Sequence, residues 1–381
     1  SPPPLAGPDG TVLLHPTTFY PGVTDAGAAT LVTLSTGDDR GALDFIVPLV
    51  RGTRVSGTLH GPEGPAAHHG LRLVPETVDA KAPMISTPVA YATTDASGRF
   101  VLLGVAPGAY RLMAYRTPLT GATAEMFERM SGERVPPPSG PAPPSLSAEM
   151  PLSVGDAPMD GIALTLAPSA IVAGRVEFAG GGAAAEPADI GFTVLTLSAL
   201  SGDTAAGQTR VTESGTFAFS GVAPGRYLLS ATAPPGWSLT SARVGGVELV
   251  GRAITIARED LSDAVLTFTD RTMTVAGSVR ADAATGTTGA SVVAMPADLD
   301  AWISGGMAPS LVRIVSVDAA GAFTLTLAVP GDYLVVAVPP EIEPRNMLWT
   351  VNVDPDIARR LVPLATKVTV AAARIAVPST R

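Results

Sequence analysis

The sequence predicts an all-β chain: tandem β-sandwich domains preceded by a partial N-terminal β unit. Two observations carry that expectation. A glycine-bearing strand, an acidic turn before a phenylalanine, and a Pro-Gly-x-Tyr turn recur in the same order three times. Around these turns apolar residues alternate with period two, the mark of half-buried strands. Glycine and proline, 40 and 36 of 381 residues, supply turns in the number such a fold requires.

Residues 1–50 carry a Tyr20-Pro-Gly22 turn and two strand candidates, Thr30–Leu34 and Leu43–Val47, without a glycine-bearing opening strand. A few strands cannot bury an apolar face alone. Val32, Leu34, Phe45, Ile46 and Val47 are therefore expected to be covered. Either they pack on the first full repeat of the same chain, or they complete a sheet in a neighbouring subunit.

The first repeat, residues 51–168, opens on Val55-Ser-Gly57-Thr-Leu59 and continues with Asp95-Ala-Ser-Gly98-Arg-Phe100 and Pro107-Gly108-Ala-Tyr110. It holds an insertion: a short helix over Ala122–Arg134, with Met126, Phe127 and Met130 on one side, then a Pro-rich stretch from Val135 to Pro144 read as an extended polyproline-type loop. The second repeat, 169–270, has Val172-Ala-Gly174-Arg-Val176, Glu213-Ser-Gly215-Thr-Phe217 and Pro224-Gly225-Arg-Tyr227. Here Thr212 holds the place of the turn's Asp. The third, 271–381, has Val275-Ala-Gly277-Ser-Val279, Asp318-Ala-Ala-Gly321-Ala-Phe323 and Pro330-Gly331-Asp-Tyr333. The interval from Gly to Phe is the same in the first two copies and three residues longer in the third. A second helix is expected at Pro355–Leu361, with Asp354 as N-cap and Pro363 as its stop.

Each motif residue has a physical reason. An acidic side chain before Gly caps turn amides while Gly accepts positive φ. Pro-Gly suits the centre of a type II turn, with the Gly left-handed. The strands on either side of it read as a hairpin-like pair. Phe100, Phe217 and Phe323 share parity with Tyr110, Tyr227 and Tyr333, so all six rings are expected in the cores.

The order Gly-bearing strand, Asp-x-x-Gly-x-Phe, Gly-Val-x-Pro-Gly-x-Tyr resembles the carboxypeptidase regulatory-like domain, a transthyretin-like, Ig-like β-sandwich. Gly104-Val-Ala-Pro-Gly-Ala-Tyr110 and Gly221-Val-Ala-Pro-Gly-Arg-Tyr227 match it closely; Leu327-Ala-Val-Pro-Gly-Asp-Tyr333 keeps the turn and the Tyr. The resemblance spans the region from about residue 50 onward. It implies the kind of tandem array found in secreted or envelope proteins of Acidobacteria-like organisms. It concerns the accessory sandwich and not a zinc peptidase domain, and fold alone does not assign function.

Composition removes several classes of function. With 25 basic against 34 acidic residues, net charge −9, nucleic acid and anionic membranes are poor partners. No apolar stretch is long enough to span a bilayer. The absence of Cys removes disulfides, thiolate metal sites and Cys nucleophiles. No basic-then-apolar leader opens the chain, and Ser1-Pro-Pro-Pro reads as a processed end. Lysine at only Lys81 and Lys367, with Asn and Gln confined to Asn346, Asn352 and Gln208, reads as the bias of a GC-rich genome.

The residue types that could carry chemistry read as framework. His15, His60, His68 and His69 form no ligand motif, and His68-His69 reads as an exposed loop pair. No Gly-x-Ser-x-Gly elbow is present, and Ala179-Gly-Gly-Gly-Ala183 lacks the Lys-Ser/Thr of a phosphate cradle. The acidic runs at Asp38-Asp39, Glu259-Asp260 and Asp298-Leu-Asp300 read as surface turns. Trp237, Trp302 and Trp349 are the candidate sugar-stacking rings, with Trp237 the best placed and an anchor role as its alternative. The expectation is a non-enzymatic, extracytoplasmic structural or interaction protein without cofactor or metal. Its partners would be proteins, identical subunits included, in a surface layer or filament. A glycan- or peptide-binding array, or an accessory region of an envelope enzyme or transporter, is the alternative.

Overall fold

A computed structural model describes residues 5–6, 12–24, 28–34, 38–44, 46–76, 89–116, 144–180, 190–200, 207–280, 289–339 and 355–371. The helix expected at Ala122–Arg134, most of the Pro-rich stretch, Phe45 and Trp349 lie outside them. Among the described residues strand accounts for 56% and helix for 7%, so the fold is all-β. It divides at Ser169 and Ala170 into two compact units.

In the first unit the glycine-bearing strand β3 (Val50–Gly61) is the spine of one sheet. It pairs antiparallel with β4 (Gly64–Pro65) and β7 (Arg99–Val105), and parallel with β10 (Met159–Thr165). The short β1 (Leu5–Ala6) and β2 (Val12–Leu14) extend this sheet, β2 lying against residues Val50–Gly52. The facing sheet runs β11 (Ala167–Pro168), β9 (Leu146–Val154), β8 (Gly108–Arg116), β5 (Gly70–Pro75), β6 (Ala90–Thr93). Val55, Leu59, Leu73, Phe100, Leu102 and Leu112 close the core between them.

The second unit begins with the same arrangement. The spine β12 (Ala170–Phe178) sits between antiparallel β15 (Thr216–Val222) and parallel β20 (Leu261–Thr269), and β17 (Ser238–Val244) and β18 (Val247–Glu248) follow. Opposite lie β14 (Gly207–Arg210), β13 (Val194–Ala199), β16 (Gly225–Thr232) and β19 (Ile254–Ile256). The third sandwich pairs β21 (Met273–Ser278) with β24 (Ala322–Leu327). Its second sheet runs β23 (Arg313–Ser316), β22 (Ser291–Pro296), β25 (Gly331–Val338), β26 (Thr366–Val370).

The central strand β22 of that last sheet is buried on both faces. Val292 and Ala294 point into the sandwich, while Val293 and Met295 meet a second cluster that includes Trp302 and Ala358. These come from helices α1 (Leu299–Ser304) and α2 (Pro355–Leu361). The continuous run Val292–Met295 is the composition expected of a strand covered on both sides. Two bonds tie the second and third sandwiches together: Arg226 donates to the carbonyl of Ser304 at the end of α1, and Thr240 to that of Ala328 in the turn after β24, each at 2.9 Å. Leu200 lies so near Gly306 that a Cβ there would be 2.6 Å away.

Three expectations are corrected. The strands around Pro-Gly are not hairpin partners: β7 and β8, β15 and β16, and β24 and β25 each lie in opposite sheets. The turn therefore carries the chain across the sandwich. Gly108 and Gly225 are not left-handed; that conformation falls on Gly104 (φ 66) and Gly221 (φ 77), at the end of the preceding strand. Thr30–Leu34 and the described residues of Leu43–Val47 form no strand. Leu34, Ile46 and Val47 are exposed, with only Val32 partly buried.

Candidate functional site

The motif residues are placed by the framework they build. In the acidic turn, Asp95 Oδ1 accepts from the amides of Ser97 and Arg99 at 2.8 and 2.9 Å, and Asp318 Oδ1 from those of Ala320 and Ala322 at 2.9 and 2.8 Å. In the second copy Thr212 takes this role, its Oγ1 accepting from the Thr216 amide at 3.1 Å. Gly98, Gly215 and Gly321 are left-handed, at φ 75, 79 and 80. The hydroxyls of Tyr110, Tyr227 and Tyr333 each donate to a carbonyl four residues upstream, on Ala106, Ala223 and Val329. Pro107, Pro224 and Pro330 stand inside these closed loops. A Cβ on Gly108 or Gly225 would press on the Tyr ring at 3.2 Å, which is why the residue before x-Tyr is Gly.

The glycine-bearing strands use their Gly for close approach. A Cβ on Gly57 would run into the backbone carbonyl of Ile162 on β10, and one on Gly174 into that of Ala264 on β20. At Gly277 the neighbour is instead the ring of Phe323, at 2.8 Å. Phe100 and Phe217 are buried, as are Tyr110, Tyr227 and Tyr333, whereas Phe323 is only half-buried. Among the described residues β21 has no parallel neighbour like β10 or β20, so the Phe323 ring lies over Gly277 with less around it.

The candidate chemical groups are engaged locally. Nδ1 of His15 lies 3.3 Å from the Pro48 carbonyl and Nδ1 of His69 2.7 Å from that of Ala67, while Nε2 of His60 is 3.2 Å from Thr58 Oγ1. Among the described residues no group of three or more His, Asp or Glu is placed to hold a metal ion. Asp298 caps α1 by accepting from the Ala301 amide, and Asp260 accepts from the Ile171 amide. Trp302 is buried, its Nε1 donating to the Ala308 carbonyl at 3.1 Å, so it offers no stacking platform. Trp237 meets Phe178 edge-on at 4.9 Å, and Phe178 stacks on Phe268. This is the anchor arrangement.

Two shallow clefts lie over the outer faces of the spine sheets. The first is lined by Ser56, Thr58, Asp95, Arg99 and Asp160 among others, the second by Arg175, Glu177, Arg243 and Asp263. Asp160 in the first and Glu177 in the second are each paired with arginine. Arg54 forks onto both oxygens of Asp160 at 3.1 and 2.9 Å, and Ser56 donates to the same carboxylate. Those bonds hold the Asp160 carboxyl below its usual range, the Ser56 bond contributing most. Arg175 donates to Glu177 at 2.7 Å.

Large apolar side chains also stand in solvent. Leu31 is 90% exposed and Ile46 81%, with Leu34, Val47 and Leu49 also outward in the same N-terminal segment. Val101 and Leu103 of β7 add a second exposed pair at 49% and 67%. The sequence carried the signal for the first group, in strand-like apolar runs without a complete unit. It did not separate β7 from its sister strands by burial.

No protein-family model matches the chain, and no curated protein matches it in sequence. Solved structures similar to it include the minor pilin GBS52 of Streptococcus agalactiae, at 13% identity, covering 60% of this chain and 100% of that one with a TM-score of 0.28. The major pilin subunit BcpA of Bacillus cereus is 11% identical, with 75% and 88% covered and a TM-score of 0.18. The Bacillus anthracis TIE protein is 12% identical over 77% of this chain, with a TM-score of 0.19, and the match spans 50% of its own length. Likeness at this level decides neither family nor function.

Proposed function

We propose that this chain is a non-enzymatic structural or interaction protein of the cell surface or extracellular space, whose subunits associate with one another. The observation that carries the reading is the N-terminal segment, where Leu31, Leu34, Ile46, Val47 and Leu49 stand outside three otherwise closed cores. Large apolar side chains standing in solvent within one segment point to an interaction site. The resemblance to carboxypeptidase regulatory-like arrays supports an extracytoplasmic setting. No helix among the described residues is long and apolar enough to cross a membrane.

Light scattering of the purified chain over a wide concentration range tests the reading. Mass rising with concentration, and falling back when Leu31, Leu34 and Ile46 are changed to Ser, is the expected result. A single-chain mass at every concentration would overturn it.

A further inference from the structure

The three sandwiches provide an internal control. β7, β15 and β24 are equivalent strands: each pairs antiparallel with its glycine-bearing spine and carries the motif Phe. Their outward positions can be compared one by one. β15 presents Thr216, Ala218 and Ser220, and β24 presents Ala322, Thr324 and Thr326. Those are small or polar residues, as an exposed sheet face normally carries. β7 presents Arg99, Val101 and Leu103, the last two large, apolar and about half or more exposed. The inward residues of β7 and β15, by contrast, are alike: Phe100 and Leu102 against Phe217 and Phe219. The departure is thus confined to the outer face of one strand.

β7 is also an edge. Among the described residues its ladder bonds go to β3 alone; on the far side Asp95 takes the amide and carbonyl of Arg99, which leaves the stretch at Val101 and Leu103 as the open edge. An apolar edge strand is a template for strand addition, and proteins ordinarily blunt it with charge, Pro or cover. Arg99 stands at one end only.

We propose that this edge is the seat for residues 43–49 of a second copy of the chain, a contact that specifies the self-association inferred above and rests on that reading. The segment has the required pattern: in sequence Leu43, Phe45, Val47 and Leu49 fall at every second position. Period-two spacing places such residues on one face of an added strand, over Val101 and Leu103. In the structure Leu43, Val47 and Leu49 are exposed and the segment has no ladder partner among the described residues.

A second copy fits better than the same one. The segment runs directly into β3, and the chain's own N-terminal strand already occupies the Gly104 end of β7. There a Cβ on Gly104 would lie 3.2 Å from Val12 and 3.6 Å from Leu14. With that cis contact made, both Val101 with Leu103 and Val47 with Leu49 remain exposed, so one copy does not satisfy its own surfaces. The two surfaces occur once each per chain. A contact between copies would continue the apolar seam that Val12 and Leu14 begin.

The test uses two double variants of the full chain, followed by sedimentation velocity. V101A/L103S gives β7 the residues that β15 carries at the same positions, Ala218 and Ser220, so the sandwich is expected to fold. V47S/L49S alters only exposed side chains of the donor. Each variant alone should lose the larger species completely, and circular dichroism melting should match the parent. Mixed together, they should form a two-chain species, because one retains a working donor and the other a working seat. Assembly of V101A/L103S at the parental level would overturn this contact while leaving self-association intact. A parent chain that never assembles would overturn both. Loss of assembly in both variants without recovery on mixing would also count against a donor–seat pair.

Discussion

Tyr110 and Ala106 are joined by a 2.9 Å hydrogen bond, hydroxyl to carbonyl, that closes a loop around Pro107 and Gly108. The same closure recurs from Tyr227 to Ala223 and from Tyr333 to Val329, at 2.8 and 2.7 Å. Because the strands on either side belong to opposite sheets, this bond pins the point at which the chain crosses each sandwich. The motif's Pro, Gly and Tyr are thus parts of one joint.

Changing Tyr227 to Phe keeps the ring and removes the bond, leaving the Ala223 carbonyl without this partner. The expected loss is about 1–2 kcal/mol in urea unfolding, the cost of one buried bond with an acceptor stranded. Burial also raises the phenol pKa of Tyr110 and Tyr333. Their protonated forms are therefore favoured by the fold, a contribution present below the ordinary phenol value of about 10 and lost as pH rises through the raised one. Alkaline unfolding monitored by tyrosinate absorbance should show the ionisation and the loss of structure together.

The glycines of the spine strands should not be equivalent. Alanine at Gly57 or Gly174 meets backbone of a neighbouring strand, which cannot yield without shifting the sheet. A loss of about 1–3 kcal/mol, the usual cost of overpacking, is expected for each. Alanine at Gly277 meets the ring of the half-buried Phe323, which can turn aside. Thermal melts of the three variants should rank G277A as the mildest, and equal losses would contradict this account of the third sandwich.

The aromatic positions divide in the same way. Phe100→Ala removes a fully enclosed ring and should cost about 3–5 kcal/mol. Phe323→Ala, with part of the ring already in water, should cost roughly half of that on the same scale. Denaturant titration of the two variants supplies the comparison.

The repeat register was legible because Gly57, Phe100 and Tyr110 and their counterparts are each demanded by local geometry. Which sheet a strand joins was not. Period-two alternation reports that Phe100 and Tyr110 face a core, and it is equally satisfied by a hairpin and by a crossover. The role of Gly108 was misassigned for a related reason: Pro-Gly suits a type II turn, but here the constraint is the Tyr ring pressed against it. Helix α2 was visible from Pro355, whereas α1 and its Trp302 were not, since Trp302 reads as readily as a platform as it does as a core ring. Residues 30–34 and 43–47 showed strand-like composition without strand structure: among the described residues no strand pairs with them, and the Ile46 amide bonds only to the Pro21 turn at 3.4 Å.

Acid sensitivity follows from the carboxylates whose pKa the fold lowers, Glu248 and three aspartates. Bonds from Ser97 and the Arg99 amide lower the pKa of Asp95, those from Ser56 and Arg54 lower that of Asp160, and those from Lys367 and Thr369 lower that of Asp332. A carboxyl whose folded pKa lies below its unfolded value of about 3.9 binds its proton more readily in the unfolded chain. Its contribution is present above the unfolded value and is lost as pH falls through the folded one. The midpoint of thermal unfolding should therefore hold steady above about pH 5 and drop below about pH 4. All three aspartates are well exposed, so added salt should blunt the ionic share of the effect at Asp160 and Asp332 more than the amide-bonded share at Asp95. The variant D95N/D160N/D332N removes these three titrating groups while keeping side chains that can still accept. It should start from a lower midpoint at neutral pH and decline less steeply in acid. A decline as steep as that of the parent would show that other carboxylates govern acid unfolding.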